Sequence, residues 1–472
     1  FGESFASTFS VGGQFFDSRL ANTAAESRDF SGPGDPTIIS GAIRNVTGDA
    51  RQRVINAGFF LQEMIGWQDR LFLTAGLRVD GISASGSDFG LQPYPKVSAS
   101  YILSDHDFWP TNTVETMKLR AAVGESGKAP GAFDAVRTWN PIAGDEGEPA
   151  YTPGQLGNPD LGPERTREVE VGFEASAFNG RLGVDFTYYQ QQTMDALIAV
   201  TYPPSNGFSA SQLENVGELS NSGLEVLIDA GLVRSENVDW RARLNYSRIR
   251  SNADNLDGQL LTILTFARTY VKEGLPVPAY VGKKILNPNE YADPIIEEDA
   301  FIGPAYPEEL VGISTSLTLY DRLRIDVLGE AQLGHYMMNA VGYQNQAANR
   351  RVWQPCHAAQ AAMEAGEWDK VTARDRARCD LTGAIRDYDF WIEPADFFKL
   401  RSVSVSYDLP AGLIPGTNSA TLTLAGRNLF TITDYSGTDP EIADVRDSSF
   451  ARRDYYNFPT SRSFLASLRV NF

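Results

Sequence analysis

The residues most able to do chemistry in this chain are few and scattered. There are two cysteines, Cys356 and Cys379, and three histidines that lie in separate segments with no evident nucleophile beside them. The chain has no nucleophile elbow, phosphate-binding glycine loop or metal-binding helix motif. We therefore expect no enzymatic activity.

Clustered carboxylates offer a second kind of chemistry, because hard oxygen ligands at short spacing can hold calcium. Three acidic groups stand out: Asp145, Glu146 and Glu148; Glu297, Glu298 and Asp299; and Asp439, Glu441, Asp444 and Asp447. None has the spacing of an EF-hand loop, so a solvated acidic surface is the favoured interpretation. Calcium is the minor alternative, and no cofactor is expected.

Aromatic side chains in polar segments could stack on sugar rings or on peptides. The candidates for such contacts are Trp139, Trp353, Trp368, Trp391 and Tyr455. Packing within loops explains each of them equally well, so the sequence leaves both roles open.

Composition limits the class of partner. The 472 residues include 41 Lys and Arg against 60 Asp and Glu, which gives a net charge of −19 and a pI near 4.7. Such a surface repels phosphates, so nucleic acid is not an expected partner. No run of about 18 apolar residues occurs, so no transmembrane helix is expected.

The elements that must position these residues are strands, because apolar and polar residues alternate with a period of two. In segment 71–79, for example, Leu71, Leu73 and Leu77 share one face, while Arg78 lies on the other. We predict fourteen such strands, near 5–16, 57–66, 71–79, 96–103, 117–124, 168–177, 181–190, 222–231, 239–249, 310–319, 323–333, 398–407, 419–428 and 463–472.

The connections between these strands alternate between short and long. Long ones are expected near 17–56, 80–95, 125–167, 191–221, 250–309, 334–397 and 429–462. Outer-membrane barrels have short periplasmic turns and long outer loops, whereas a soluble β-sandwich has no reason for this pattern. The heavily charged face of the strands also suits a water-filled lumen better than a protein core. The sequence therefore predicts an all-β, transmembrane antiparallel β-barrel.

Several segments resemble the TonB-dependent outer-membrane receptors, and specifically their SusC/RagA branch. They are NPDLGPE (158–164), PPSNGF (203–208), NVGELSNSGLEV (215–226), FFKLRSVSVSYDLP (397–410), GRNLFTITDYSGTDPE (426–441) and YYNFPTSRSF (455–464). The terminal Phe472 is similar to the barrel-assembly signal of outer-membrane proteins. Because these motifs follow one another in order, the series is more specific than any one of them.

The resemblance implies a place in the bacterial outer membrane and a 22-stranded barrel, of which residues 1–472 would be the C-terminal portion. No segment matches the plug or the other N-terminal domains of such receptors. The implied function is TonB-dependent import of oligosaccharides or peptides, with a SusD-like surface lipoprotein as a lid. TonB would act through the N-terminal part, and the lipid bilayer would surround the wall.

Two alternatives to nutrient import follow from the same barrel. The chain could form a passive pore or a surface-binding, structural outer-membrane protein built on a receptor-derived barrel. A third possible function is uptake of a metal chelate. Anionic chelates are disfavoured because the chain has a net negative charge.

Within this architecture, 334–397 is the most distinctive outer loop because it holds both cysteines. An outer loop lies in an oxidising space, so we predict a disulfide between Cys356 and Cys379, which would contribute about 3 kcal/mol by loop-closure entropy. Segment 358–378 is rich in Ala, Glu, Lys and Arg, which favours a short helix or a helical pair. A metal site from Cys356, His357 and Cys379 is disfavoured because a closed zinc site needs four ligands.

Overall fold

The computed structural model describes residues 4–472 except 31, 33, 35–36, 87–89, 111, 201, 209, 257–259, 265–267, 349–352, 380–386 and 442–451. Its main feature is a fourteen-stranded sheet in which each strand neighbours the next one along the chain. The strands are β1 (Phe5–Phe30), β2 (Gly41–Trp67), β3 (Leu71–Ile82), β4 (Gln92–Ile102), β5 (Val114–Lys128), β6 (Glu164–Ala177), β7 (Leu182–Met194), β8 (Glu218–Arg234), β9 (Val238–Asn255), β10 (Glu309–Leu319), β11 (Leu323–Leu333), β12 (Phe397–Asp408), β13 (Ser419–Thr433) and β14 (Ser463–Asn471).

All fourteen predicted strands are confirmed, and each predicted span overlaps one strand of this sheet. The short connections are tight where the chain reverses. Residues Gln68 and Asp69 both have φ of 52°, as do Tyr320 and Asp321, and Asn179 and Gly180 have φ of 57° and 68°. Two consecutive residues in the left-handed region are typical of type I′ hairpins, whose twist matches that of the strands.

The first long connection differs from the prediction. We expected a loop near 17–56, but β1 continues to Phe30 and β2 begins at Gly41. Polar side chains occupy both faces of this extension, so the apolar alternation that reveals a half-buried strand is lost. Cross-strand pairs continue there nevertheless, such as Arg53 to Asp17 at 2.8 Å.

The chain divides into two compact units. One consists of Phe1–Ala99, Ala122–Arg167 and Thr193–Val216, and the other of Ser100–Ala121, Glu168–Gln192 and Gly217–Phe472. The first unit contains two small hairpins that the sequence did not reveal, Trp139–Ala143 with Pro149–Pro153 and Leu197–Val200 with Gln212–Asn215.

The second unit contains what we call the loop assembly, the described parts of connections 256–308, 334–396 and 434–462. Short strands form two small sheets there: Leu260–Leu264, Thr269–Lys272, Ala279–Ile285 and Ile296–Pro304 in one, and Tyr336–Asn339, Ile392–Pro394 and Arg453–Asp454 in the other. The α-helices are α1 (Ala340–Tyr343), α2 (His357–Glu364) and α3 (Ala373–Cys379). Other helical turns lie at Gln344–Ala348, Gln354–Cys356, Trp368–Lys370 and Tyr388–Trp391.

The loop assembly holds densely buried apolar side chains. One cluster is built around Tyr280, Ile302 and Met338, and another around the two cysteines, Val371 and Trp391. In strands β3, β10 and β11 of the main sheet, by contrast, nearly every residue is half-buried or exposed. None of the described helices is long and apolar enough to cross a membrane.

Candidate functional site

In the second unit, one face of the main sheet carries ion pairs between its strands. We call this face the polar face. Arg120 on β5 lies 2.8 Å from Glu174 on β6 and 2.6 Å from Asp185 on β7. On β8 and β9, Arg243 pairs with Asp229 at 2.7 Å. These cations already have carboxylate partners and are therefore less available to an anionic ligand.

Several carboxylates of the same face have no cation within 4 Å among the described residues. They are Glu168, Glu170, Glu225 and Glu308. Negative charge is therefore in surplus on the polar face. A surface of this sign attracts cations and repels anions.

Among the recesses of the second unit, two adjoin each other. The first, the polar recess, has a volume of about 470 Å³ and is lined by Arg120, Thr187, Glu225, Asn245, Glu330 and Gln332, among others. The second, the proline recess, has a volume of about 380 Å³, and its lining includes Ile249, Pro276, Pro278, Pro304, Tyr306 and Glu308. Leu310 contributes to both, so the two recesses adjoin.

A buried charge cluster fastens the last long connection to β12. Lys399 is only 3% exposed, and its Nζ donates to Asp439 at 2.6 Å and to Glu441 at 2.7 Å. Arg401 donates to both carboxylate oxygens of Glu441 and, at 2.9 Å, to Glu330. The hydrogen bonds from Arg401 are the largest cause that lowers the pKa of Glu441 to about 2, and Lys399 lowers it further.

The predicted disulfide between Cys356 and Cys379 is present, and the predicted helical pair is confirmed as α2 and α3. Because both thiols are consumed in this bond, neither is available as a zinc ligand beside His357. The disulfide joins the start of α2 to the end of α3 and packs in the cluster that contains Val371 and Trp391.

The five candidate aromatics lie in different environments. Trp391 is 1% exposed, with the guanidinium of Arg378 4.5 Å from its ring centre, so its indole is not accessible to a ligand here. Trp353 and Tyr455 are half-buried and pack against loop clusters. Trp368 is 41% exposed beneath Arg376, and Trp139, in the first unit, is 52% exposed and 5.5 Å from the ring of Phe208.

The acidic residues considered as calcium ligands differ in their surroundings. Asp439 and Glu441 are held by cations, and Glu298 lies 3.7 Å from Lys283, whereas Asp444 and Asp447 fall outside the described residues. No set of three or more His, Cys, Asp or Glu side chains that could hold a metal ion occurs in the described part of the chain.

One buried titratable group was not found from the sequence. His335 is 1% exposed, and neither ring nitrogen has a hydrogen-bond partner among the described residues. Burial, aided by the charge of Arg452, lowers the pKa of His335 to about 3, so the imidazole is neutral at physiological pH. An isolated histidine in a polar segment gives no sequence signal of such burial.

Comparison with known proteins decides the family. The family model described as "TonB dependent receptor-like, beta-barrel" matches residues 1–292, more than half of the chain. The chain belongs to this family. Its members are outer-membrane receptors and transporters, and in their barrels the polar face of a strand lines the lumen while the apolar face meets lipid.

The predicted SusC/RagA-like character is confirmed by the relatives of this TonB-dependent receptor chain. It is 27% identical over 469 residues to TonB-dependent receptor P26 of Formosa agariphila, which covers 88% of this chain and 46% of the relative. It is 24% identical over 199 residues to TonB-dependent receptor SusC of Bacteroides thetaiotaomicron, covering 40% of this chain and 20% of SusC.

Solved structures agree on the fold. The RagAB peptide importer in its "closed-closed" state matches with a TM-score of 0.82 at 19% identity, over 100% of this chain and 54% of that one. A siderophore receptor, PirA of Acinetobacter baumannii, matches with a TM-score of 0.52 at 14% identity, over 99% of this chain and 52% of that one. The chain therefore spans about half the length of receptor P26, of the RagAB chain and of PirA.

Proposed function

We propose that this chain is the barrel part of a TonB-dependent importer of large nutrients, either oligosaccharides or peptides. The observation that carries the proposal is the pairing of a polar, ion-paired face with an apolar, exposed face along the same strands, in a chain of this receptor family. The likeness in fold to the RagAB peptide importer supports peptides as one such cargo.

Recognition would take place in two regions of the second unit. The loop assembly presents exposed side chains such as Trp368 and Tyr456, and the polar face offers two recesses. Loops on a rigid scaffold commonly carry binding residues. The SusC/RagA resemblance adds a SusD-like lipoprotein as the proposed partner of the outer loops and TonB as the proposed energy source.

Uptake in living cells tests this function. A strain that lacks the gene for this chain should lose growth on the imported oligosaccharide or peptide mixture, and a strain without TonB should lose it equally. Restoring the gene should restore growth only where TonB is present. Growth that depends on this chain but persists without TonB would instead indicate a passive pore.

Conductance gives an independent test of the same distinction. The receptor isolated from outer membranes should be nearly silent in planar bilayers if it is a plugged importer. A steady open conductance would contradict the proposal.

A further inference from the structure

The proline recess forms where two connecting segments of the loop assembly pass over the polar face. Segment 276–278 contributes Pro276 and Pro278, and segment 304–308 contributes Pro304, Tyr306 and Glu308. The strands of the main sheet contribute Ile249 and Leu310, together with the polar side chains of Asn221 and Ser251. The lining is therefore mainly apolar, with one acidic side chain, Glu308.

The recess is built rigidly. Ser251 Oγ donates to the carbonyl of Val277 at 2.9 Å and accepts from its amide at 3.2 Å, which fixes segment 276–278 to β9. The amide of Ala305 donates to the backbone carbonyl of Pro278 at 3.0 Å, and the amide of Ile249 donates to the backbone carbonyl of Glu308 at 2.8 Å. Four prolines in the lining restrict the backbone further. A pocket that is ordered before binding loses little entropy when a ligand enters.

Around the proline recess, carboxylates lack partners whereas the nearby arginine is paired. Glu308 has no cationic partner among the described residues, and Glu225 in the adjoining polar recess has none either. Arg120 is held by Glu174 and Asp185.

One further cation approaches from the loop side. The guanidinium of Arg452 lies 5.5 Å from the ring centre of Tyr306, but Arg452 is 7% exposed and packed within the loop assembly. Of the charged side chains that line the two recesses, those without an oppositely charged partner among the described residues, Glu225 and Glu308, are therefore anionic.

We propose that the proline recess is a subsite for an apolar or aromatic side chain of a peptide, and that Glu308 and Glu225 receive a cationic group beside it. The inference rests on the proposed import function and narrows its substrate class to peptides that carry a positive charge next to an apolar residue. Acidic oligosaccharides fit poorly, since they would meet uncompensated carboxylates. Burial of the apolar group provides affinity, and the carboxylates provide selectivity.

Peptide binding to the receptor isolated from outer membranes tests the subsite. The probes are three blocked tetrapeptides, Ala-Phe-Lys-Ala, Ala-Phe-Gln-Ala and Ala-Ser-Lys-Ala, titrated by calorimetry. The first should bind most tightly, because loss of the cation or of the aromatic ring should each weaken binding about tenfold.

Two variants and a matched control locate the effect. Glu308→Gln should weaken binding of Ala-Phe-Lys-Ala about tenfold and leave that of Ala-Phe-Gln-Ala unchanged. Ile249→Trp, which fills the recess, should weaken both phenylalanine peptides. Glu309→Gln, which alters the neighbouring carboxylate paired with Arg248 at 3.8 Å, should change neither.

Equal affinity of Glu308→Gln and the unaltered receptor for Ala-Phe-Lys-Ala would overturn the subsite, as would tighter binding of oligogalacturonate than of any peptide. Neither result touches the proposed import function, which stands or falls on TonB-dependent growth. Loss of that dependence with peptide selectivity intact would overturn import and leave the subsite standing.

Discussion

The first hairpin of the sheet and the loop assembly achieve order in opposite ways. In β1 and β2, large apolar side chains point outward, with Val11 and Phe59 each 74% exposed, while the two backbones pair almost without interruption from Phe5 to Phe30. In the loop assembly, Tyr280 and Met338 are 0% exposed and regular pairing is short. The hairpin relies on backbone hydrogen bonds and on an apolar surrounding, whereas the loops carry a core like that of a water-soluble domain.

This contrast bears on function because the loops of a receptor must present a defined surface to ligand. A buried core, a disulfide and a buried charge cluster fix the loop assembly. Loops held in this way can bind with less ordering cost than mobile ones.

Removal of the largest fully buried side chain of the loop assembly, Trp391, should have the largest effect on stability. Trp391→Ala should lower the free energy of local unfolding of the loop assembly by about 3–5 kcal/mol, through lost apolar burial and the cavity left behind. Hydrogen exchange of α3 and of strand Ile392–Pro394 measures this loss. Trp240→Ala, which alters a 41% exposed residue of β9, is the matched control and should leave these amides unchanged.

Removal of the disulfide should have the next largest effect. Replacing Cys356 and Cys379 together by serine should lower the stability of the loop assembly by about 3 kcal/mol, because the open chain regains the entropy of a 23-residue loop. Limited proteolysis between α2 and α3 reports the change, and exchange of β10 and β11 amides serves as the internal control. Unchanged protease resistance would show that packing alone holds the helical pair.

Acid should weaken the loop assembly through His335. The pKa of His335 is about 3 when folded and about 6.5 in an unfolded chain, so the unfolded state binds a proton that the folded state excludes. Stability should therefore fall as the pH drops from about 6.5 towards 3, by up to about 1.4 kcal/mol per pH unit. Urea denaturation at several pH values measures this dependence. His335→Gln should make the unfolding free energy of the loop assembly less dependent on pH between pH 6.5 and 5. An unchanged dependence would mean that other groups cause the acid sensitivity.

The smallest effect is expected from an exposed ion pair of the sheet. Arg324 and Asp326 are 2.9 Å apart on β11, with side chains 60% and 36% exposed. Arg324→Ala should change the unfolding free energy by about 0–1 kcal/mol, since exposed pairs are weakened by solvent. A loss as large as that of Trp391→Ala would mean that the polar face contributes to stability as much as the loop core does.

The sequence predicted the sheet well for a physical reason. Strand β11 was predicted at 323–333 and lies at Leu323–Leu333. Successive side chains of a strand point to opposite faces, so apolar and polar residues alternate along its whole length and reveal both of its ends. The extension of β1 beyond residue 16 escaped prediction because both of its faces are polar.

The site was harder to predict, since its parts are distant in sequence. Lys399 and Asp439 are 40 residues apart, and nothing in either segment indicates that they meet. The proline recess joins residues from β8, β9, two loop segments and β10. The disulfide was predictable because the chain contains only two cysteines.

Hydrogen exchange across the whole receptor, before and after reduction of Cys356–Cys379, measures directly how the loop assembly is held in order. We predict that strands Tyr336–Asn339 and Ile392–Pro394 and helices α2 and α3 are protected about as strongly as β10 and β11 in the oxidised protein. Reduction should then release the helices while the sheet stays protected. Rapid exchange of these loop amides in the oxidised protein would contradict the claim that a buried core and the disulfide hold the loop assembly in one ordered arrangement.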